Sequence, residues 1–437
     1  MSYKFNYNNG NIFSIMRHST ISGSLSMLLT LIAASNLFSL VIFPDYVIKF
    51  EHMLFSLIIA VYALFYISKN WEKKRHILSH FDFIFYFFLL ILLSFINAKV
   101  INDQTVDLTF RITYAWLEYS FIYVLLAKKV RFEDIYIACS IFAFIRLTLF
   151  LYTILTGNYI FQTVVGEDDL EGARGIMRVR VPGMMITYFW GFWSLGKYLS
   201  SEKKIYLLFF LITAIQSLLE VSRQHIFVYI ILSSLLLLYR LSIFKKILFV
   251  GFLVSLFTFA LPHIKIYQAL VEVTETQEYK TNGFKDDIRL QATKFYIEQF
   301  PQSNYTRVMG NGLYHSESEY GRRVFYVMKN FGFILADIGF VGIYIYFGIV
   351  GLIFYAYLLY RTIKVPIHSE YSSLKYFVYF LFLTNIFSNS FQGSTIILPI
   401  TLYIIYSSYL KKKYLHNKID LSKLSVLHNT GSNAITM

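Results

Sequence analysis

A helix needs about 20 consecutive apolar residues to cross the hydrocarbon core of a bilayer, and this chain of 437 residues carries roughly twelve runs of that kind. They begin near Ser22, His52, Phe81, Leu108, Asp134, Gly183, Lys204, Gln224, Lys246, Phe333, Leu374 and Thr395. The repetition predicts an all-α fold: a polytopic bundle of about twelve transmembrane helices. Composition points the same way. Only 15% of the residues are charged and 56% are hydrophobic, whereas a soluble globular chain has about 25% charged residues. There is too little polar side chain to coat two or three soluble domains. A water-soluble enzyme, a nucleic-acid-binding module and a disordered protein are thereby excluded. Met1 to Arg17 is polar and the first apolar run is long enough to span, so no cleavable signal is expected. One cysteine, Cys139, rules out an internal disulfide and a Cys-rich metal site.

The net charge of +14 is distributed as membrane topology requires. With the N-terminus in the cytoplasm, alternate loops hold Lys69, Lys73, Lys74 and Arg75; Lys128, Lys129 and Arg131; Lys197, Lys203 and Lys204; Arg240, Lys245 and Lys246; Arg361, Lys364 and Lys375. The tail adds Lys411, Lys412, Lys413 and Lys418, while the intervening short loops hold little beyond Lys49 and Lys99. This positive-inside pattern predicts both termini in the cytoplasm. It leaves two long loops outside, from about Gly157 to Pro182 and from about His263 to Gly332. Residues 1–420 are expected to form one integral membrane domain and 421–437 a polar cytoplasmic tail.

Charged residues inside spans cost about 2.5–3.5 kcal/mol each on insertion scales, which makes them functional candidates. Here they are Arg111, Glu118, Arg146, Glu220 and Asp337, gathered towards the outer leaflet. Arg111 and Glu118 stand two turns apart on one helical face. The first long loop runs from the acids Glu167, Asp168, Asp169 and Glu171 into Arg174, Arg178 and Arg180. Arginine suits phosphate oxygens because its donors form a planar fork. Arg174 pairs most simply with the acids, and Arg180 lies furthest from them. The second loop predicts a helix from Asp287 to Phe300 that carries Arg289 and stops at Pro301. After it come a tight turn at Gly310-Asn311-Gly312, then His315, Glu317, Glu319, Arg322 and Arg323. No phosphate-binding glycine loop, HExxH or GxSxG motif is present, and a lone histidine beside two glutamates is a weak metal signal.

This layout resembles the bacterial O-antigen polymerase and ligase superfamily over most of the chain, with short motifs in three places. Arg180 and Gly191 match an outer-loop arginine separated by ten residues from a glycine. Arg289, Pro301 and Gly310-Asn311-Gly312 follow the order of the family's large loop. Asp337-Ile338-Gly339-Phe340-Val341-Gly342 resembles the acidic residue and Gly-x-x-Gly that open its next span, and Ser222-Arg223 resembles a pair that opens another. The chain departs from the ligases at Met328, where they carry histidine ahead of Gly339.

The resemblance implies a polymerase that moves a growing glycan from its undecaprenyl diphosphate carrier to a new lipid-linked repeat unit, in the outer leaflet of the inner membrane. A ligase and a lipid-linked oligosaccharide flippase are the alternatives. Arg180 and Arg289 are expected to stabilise the departing diphosphate, with Arg223 third, in place of a metal or other cofactor. The proton acceptor falls among His315, Glu317, Glu319 and Asp337. Arg178, Arg223, Arg111, Glu220, Arg322 and Lys329 are expected to contact substrate. Membrane lipid and a polysaccharide chain-length regulator complete the expected partners; nucleic acid is not one.

Overall fold

The computed structural model describes residues 21–37, 44–157, 181–219, 222–240 and 287–413, with isolated positions between 243 and 251. Every regular element among them is helical, and no strand occurs among the described residues. The helices are α1 (Ile21–Ala34), α2 (Asp45–Leu78), α3 (Asp82–Val100), α4 (Val106–Thr113), α5 (Phe121–Lys128) and α6 (Phe132–Thr156). Then follow α7 (Met184–Ser201), α8 (Lys204–Leu219) and α9 (Arg223–Arg240). Three short helices come next: α10 (Ile288–Glu298), α11 (Asn304–Met309) and α12 (Glu319–Phe331). The last are α13 (Gly339–Lys364), α14 (Ser373–Thr384) and α15 (397–413).

Among the described residues, four helices are long and apolar enough to cross a membrane: Tyr46–Glu72 within α2, then α3, α6 and α13. Apolar side chains on their outer faces, such as Leu54, Ile58, Val61 and Phe65 on α2 and Phe85, Leu89 and Leu92 on α3, are exposed. Stripes of that kind fit hydrocarbon and not water. Runs expected to span at the first, seventh and eighth positions form shorter apolar helices. The run expected from Lys246 lies largely outside the described residues.

The run from Leu108 departs from the single span expected of it. It is divided into α4, a 3₁₀ segment at Tyr114–Ser120, and α5. In a 3₁₀ segment side chains at i and i+3 eclipse. That brings Trp116 and Tyr119 together, stacked at 13° and both in contact with Phe87.

The described part of the second long loop, from Asp287 onward, is folded as well. Asp287 caps α10 by accepting from the N–H groups of Arg289 and Leu290, Ser303 forms a capping box on α11, and Ser318 caps α12. These side chains satisfy N–H groups that a helix start leaves unpaired. Ala292, Tyr296, Leu313, Tyr320 and Val324 belong to the same contiguous core as the long helices. Tyr296 and Tyr320 donate to the carbonyls of Phe333 and Gly312 at 3.1 and 3.2 Å. Burial, with Tyr314 nearby, raises both phenols above the ordinary tyrosine pKa, so they remain donors.

The Gly310-Asn311-Gly312 turn docks into a break in α13. Gly348 has φ +66°, ψ −163°, which interrupts the helical ladder. The N–H groups of Asn311 and Gly312 donate to the carbonyls of Ile345 and Tyr346 at 2.7 and 3.1 Å. From the other side Asn97 Nδ2 donates to the carbonyls of Met309 and Gly310, both at 2.9 Å, and Asn102 Nδ2 donates to Asn311 at 2.7 Å. Irregular backbone beside a spanning helix is tolerated where protein groups satisfy it, as here.

Candidate functional site

A cavity of about 420 Å³ lies beside α6, where α7 and α9 begin. Arg146 of α6 lines it, with Val181 to Met185 entering α7, Ser222, Gln224 and His225 opening α9, Asp337 ahead of α13, and Ser388 to Ser390 with Gly393 after α14.

Arg146, 1% exposed, anchors one wall. Its Nη2 donates to the carbonyl of Val181 at 2.8 Å and its Nε to that of Pro182 at 3.0 Å. Carbonyls held this way fix the backbone immediately after Arg180. Ahead of α13, Leu335–Asp337 is a 3₁₀ turn that leaves Asp337 half-buried. Phe340 N–H donates to the carbonyl of Asn385 at 3.0 Å. A side chain at Gly339 would collide with the carbonyls of Ser388 and Asn385. Glycine there lets Asp337 approach the 388–390 segment. His225, 5% exposed, contacts Ser222 Oγ through Nδ1 and stacks on Tyr188 at 16°.

Two helices, α7 and α9, turn their N-termini to this cavity, and Asp337 stands two residues ahead of α13. Helix N-termini carry partial positive charge and unpaired N–H groups. Gly183, which caps α7, supplies no side-chain cap.

Of the expected site residues, Asp337 lines the cavity. Arg178, Arg180 and Glu220 lie outside the described residues; Arg180 is the covalent neighbour of Val181. Arg223 opens α9, but its side chain is outside the described residues. Arg289 is exposed on the first turn of α10 and is not part of the cavity wall. His315 is not part of it either: its N–H donates to Gln104 at 2.8 Å and its Nδ1 accepts from Glu317 N–H. Arg111 pairs with Asp107 at 2.8 Å and approaches Glu317 at 4.0 Å, and it shares no partner with Glu118. Arg322 donates to the carbonyl of Glu317, and lines a separate cleft with Glu319, Arg323 and Tyr326. Lys329 is exposed in the last turn of α12.

Gly191 packs against Thr213 of α8 and Tyr229 of α9, where a Cβ would meet Thr213 at 2.6 Å. Its place in the Arg180–Gly191 pattern is thus explained by helix packing. His225 and the Ser388-Asn389-Ser390 segment were missed by sequence reasoning. The signal available was a polar stretch, Ser388 to Ser394, interrupted by Phe391 and lying between two apolar runs. Among the described residues no cluster of His, Cys, Asp and Glu fit for a metal ion occurs.

Compared with protein families, with characterised proteins and with solved structures, the chain matches none. Fold and site define the described residues as all-helical, with four helices long and apolar enough to cross a membrane and a cavity beside α6 where α7 and α9 begin.

Proposed function

We propose that the chain is a membrane glycosyltransferase that polymerises undecaprenyl-diphosphate-linked oligosaccharide repeat units at the outer face of a bacterial inner membrane. One observation carries the reading. Val181 to Gly183, Ser222 and Asp337 adjoin or form three sequence patterns that resemble the polymerase superfamily, and all line one cavity.

The chemistry follows from what surrounds that cavity. An acceptor hydroxyl oxygen bonds to the anomeric carbon of the growing glycan. The bond from that carbon to the diphosphate oxygen breaks, and its electron pair leaves with the lipid diphosphate. Asp337 takes the hydroxyl proton and passes it to water. Negative charge builds on the leaving diphosphate, where preorganised N–H dipoles and fixed cations lower the barrier. The helix N-termini supply the dipoles. The cation role falls to Arg180, next to Val181, in preference to Arg289, which is exposed on α10.

The test is deletion of the gene, complementation with wild type or Asp337→Asn at matched protein level, and electrophoresis of the glycans. Deletion is expected to leave single repeat units on the acceptor. Asp337→Asn is expected to lower polymer formation by about 10²–10⁴, the range for a general base. A bare acceptor with polymer retained on the carrier would make the protein a ligase. An unchanged ladder after deletion would remove it from glycan assembly.

A further inference from the structure

We propose that the cleft between α10 and α12 binds a saccharide, with a sugar ring against Tyr326 and its hydroxyls on Glu319, Arg322 and Arg323. This site is apart from the cavity at Asp337, and it stands or falls separately from the polymerase reading.

The local geometry comes from helical spacing. Glu319, Arg322, Arg323 and Tyr326 stand at i, i+3, i+4 and i+7, which puts them on one face of α12. Facing them are Phe295 of α10, Gln299 and Phe300 just after it, and Gln302. The space between is about 610 Å³, within the range of small-ligand sites. Arg323 is fixed in this wall. Its Nη2 donates to Asn102 Oδ1 at 2.7 Å, and Gln302, with its amide oxygen towards the guanidinium, accepts from Nη1 at 2.7 Å. Asn102 in turn donates to the carbonyl of Asn311, in the turn seated on α13. The cleft is thus tied to the membrane helices.

The chemistry of the wall selects the ligand. A glutamate three and four residues ahead of two arginines on a helix is spaced to pair with them. Among the described residues Glu319 pairs with neither, and it is exposed in the cleft. The hydrogen bonds of Arg322 and Arg323 go to neutral groups: the Glu317 carbonyl and the amides of Asn102 and Gln302. An open acceptor therefore stands beside two cations with donors to spare. A hydroxyl both donates and accepts, so a ligand with several hydroxyls satisfies carboxylate and guanidinium together. A phosphate offers the carboxylate a like charge. The C–H faces of a sugar ring are apolar, and Tyr326, 63% exposed, offers them an aromatic surface beside Phe295 and Phe300. Position agrees with the chemistry. The Phe295 ring lies 5.6 Å from that of Phe333, four residues ahead of Asp337, and four residues span at most about 14 Å. A glycan with one end at Asp337 reaches the cleft within a few sugars.

The experiment applies the full chain, fluorescently labelled and purified in a detergent without a sugar headgroup, to an array of neutral, amino-sugar and uronic-acid oligosaccharides. Captured glycans are then titrated in solution, with dihexanoylphosphatidylglycerol in parallel as a soluble phosphate lipid. Wild type is expected to capture oligosaccharide. Tyr326→Ala should weaken that binding about three- to tenfold, the worth of one aromatic contact, while Tyr326→Phe keeps the ring and should bind as wild type does. Glu319→Ala should weaken it about tenfold or more, as for a hydrogen bond to a charged group, and should strengthen binding of the phosphate lipid. Leu290→Ala, which alters an exposed apolar side chain of α10 outside the cleft, should change neither. Melting temperatures report whether each variant is folded.

Capture of no oligosaccharide by wild type would overturn the assignment and leave the polymerase reading to the deletion test. Equal affinity of Tyr326→Ala, Glu319→Ala and wild type would overturn it as well, by placing the sugar elsewhere. Phosphatidylglycerol held more tightly than any oligosaccharide would make the cleft a lipid site instead. Oligosaccharide binding lost in both variants, together with an unchanged ladder after gene deletion, would keep the cleft and remove the polymerase.

Discussion

A carboxylate removed from water costs several kcal/mol unless donors surround it, and Glu118 shows how this chain meets that requirement. It is fully buried. His52 Nε2 lies 2.6 Å from Oε1, Ser56 Oγ donates to the same oxygen at 3.3 Å, and Thr395 Oγ1 donates to Oε2 at 2.6 Å. Glu118→Ala strands His52 Nε2 and Thr395 Oγ1, and His52→Ala leaves a buried carboxyl group without its nearest side-chain partner. Each single variant is expected to lose about 1–3 kcal/mol, as for leaving a buried hydrogen-bonding group unsatisfied. The double variant should lose less than the sum, because the second change removes a group already unpaired. Thermal melting in detergent measures all three; strictly additive losses would show that the two residues do not act as a unit. The charge at Glu118 was legible as an acid within an apolar run. Its partners were not, because they lie 66 and 277 residues away in the chain. Arg111 is the contrast. Its partner Asp107 is four residues back, a spacing that a helix brings into contact.

At the scale of elements, the informative piece is α13 with the turn seated in its break. The Gly310-Asn311-Gly312 turn was readable because glycine flanking asparagine tolerates the positive φ a tight turn needs. The break was not readable, since Gly348 lies within an apolar run that satisfies the length of one continuous span. What unwinds the helix there is a distant segment whose N–H groups take over the carbonyls of Ile345 and Tyr346. Gly310 and Gly348 both have positive φ, and a side chain on either would strike backbone of the other strand of this junction. Alanine at either position combines backbone strain of about 1–3 kcal/mol with that collision. The expected result is a loop that opens: limited proteolysis between residues 302 and 318 should accelerate in both variants. Gly393→Ala is the control, because nothing lies within 4 Å of the Cβ it would add. Cleavage at the wild-type rate in Gly310→Ala and Gly348→Ala would show that the turn is not held by this junction.

The whole molecule has two chemically different ends, and they bear on orientation. At one end Lys197 of α7 pairs with Glu133 of α6 at 2.7 Å and with Glu370 at 3.7 Å, while Arg361 of α13 pairs with Asp82 of α3. At the other end α7, α9 and α13 begin, the cavity opens, and Arg146 fixes the backbone after Arg180. The basic clusters assigned to the cytoplasm from sequence, including Lys197, Lys203, Arg361 and Lys364, belong to the first end. The long-loop helices α10 to α12 precede the start of α13 and belong to the second. Charge counting in short loops therefore sorts the residues into the same two groups as the packing does, although neither names a membrane. An orientation test follows that needs no substrate. Cys139 is fully buried, so it contributes no background with a membrane-impermeant maleimide. Ser316→Cys places a thiol on an exposed position of the loop end, and Lys203→Cys places one at an exposed position beside the opposite ion pairs. In spheroplasts Ser316→Cys is expected to label at once and Lys203→Cys only after permeabilisation. The reverse order would turn the molecule over. The cavity would then face the cytoplasm, away from a donor in the outer leaflet, and the polymerase reading would fail with the orientation. Labelling of both thiols before permeabilisation would mean that the two ends are not separated by a bilayer.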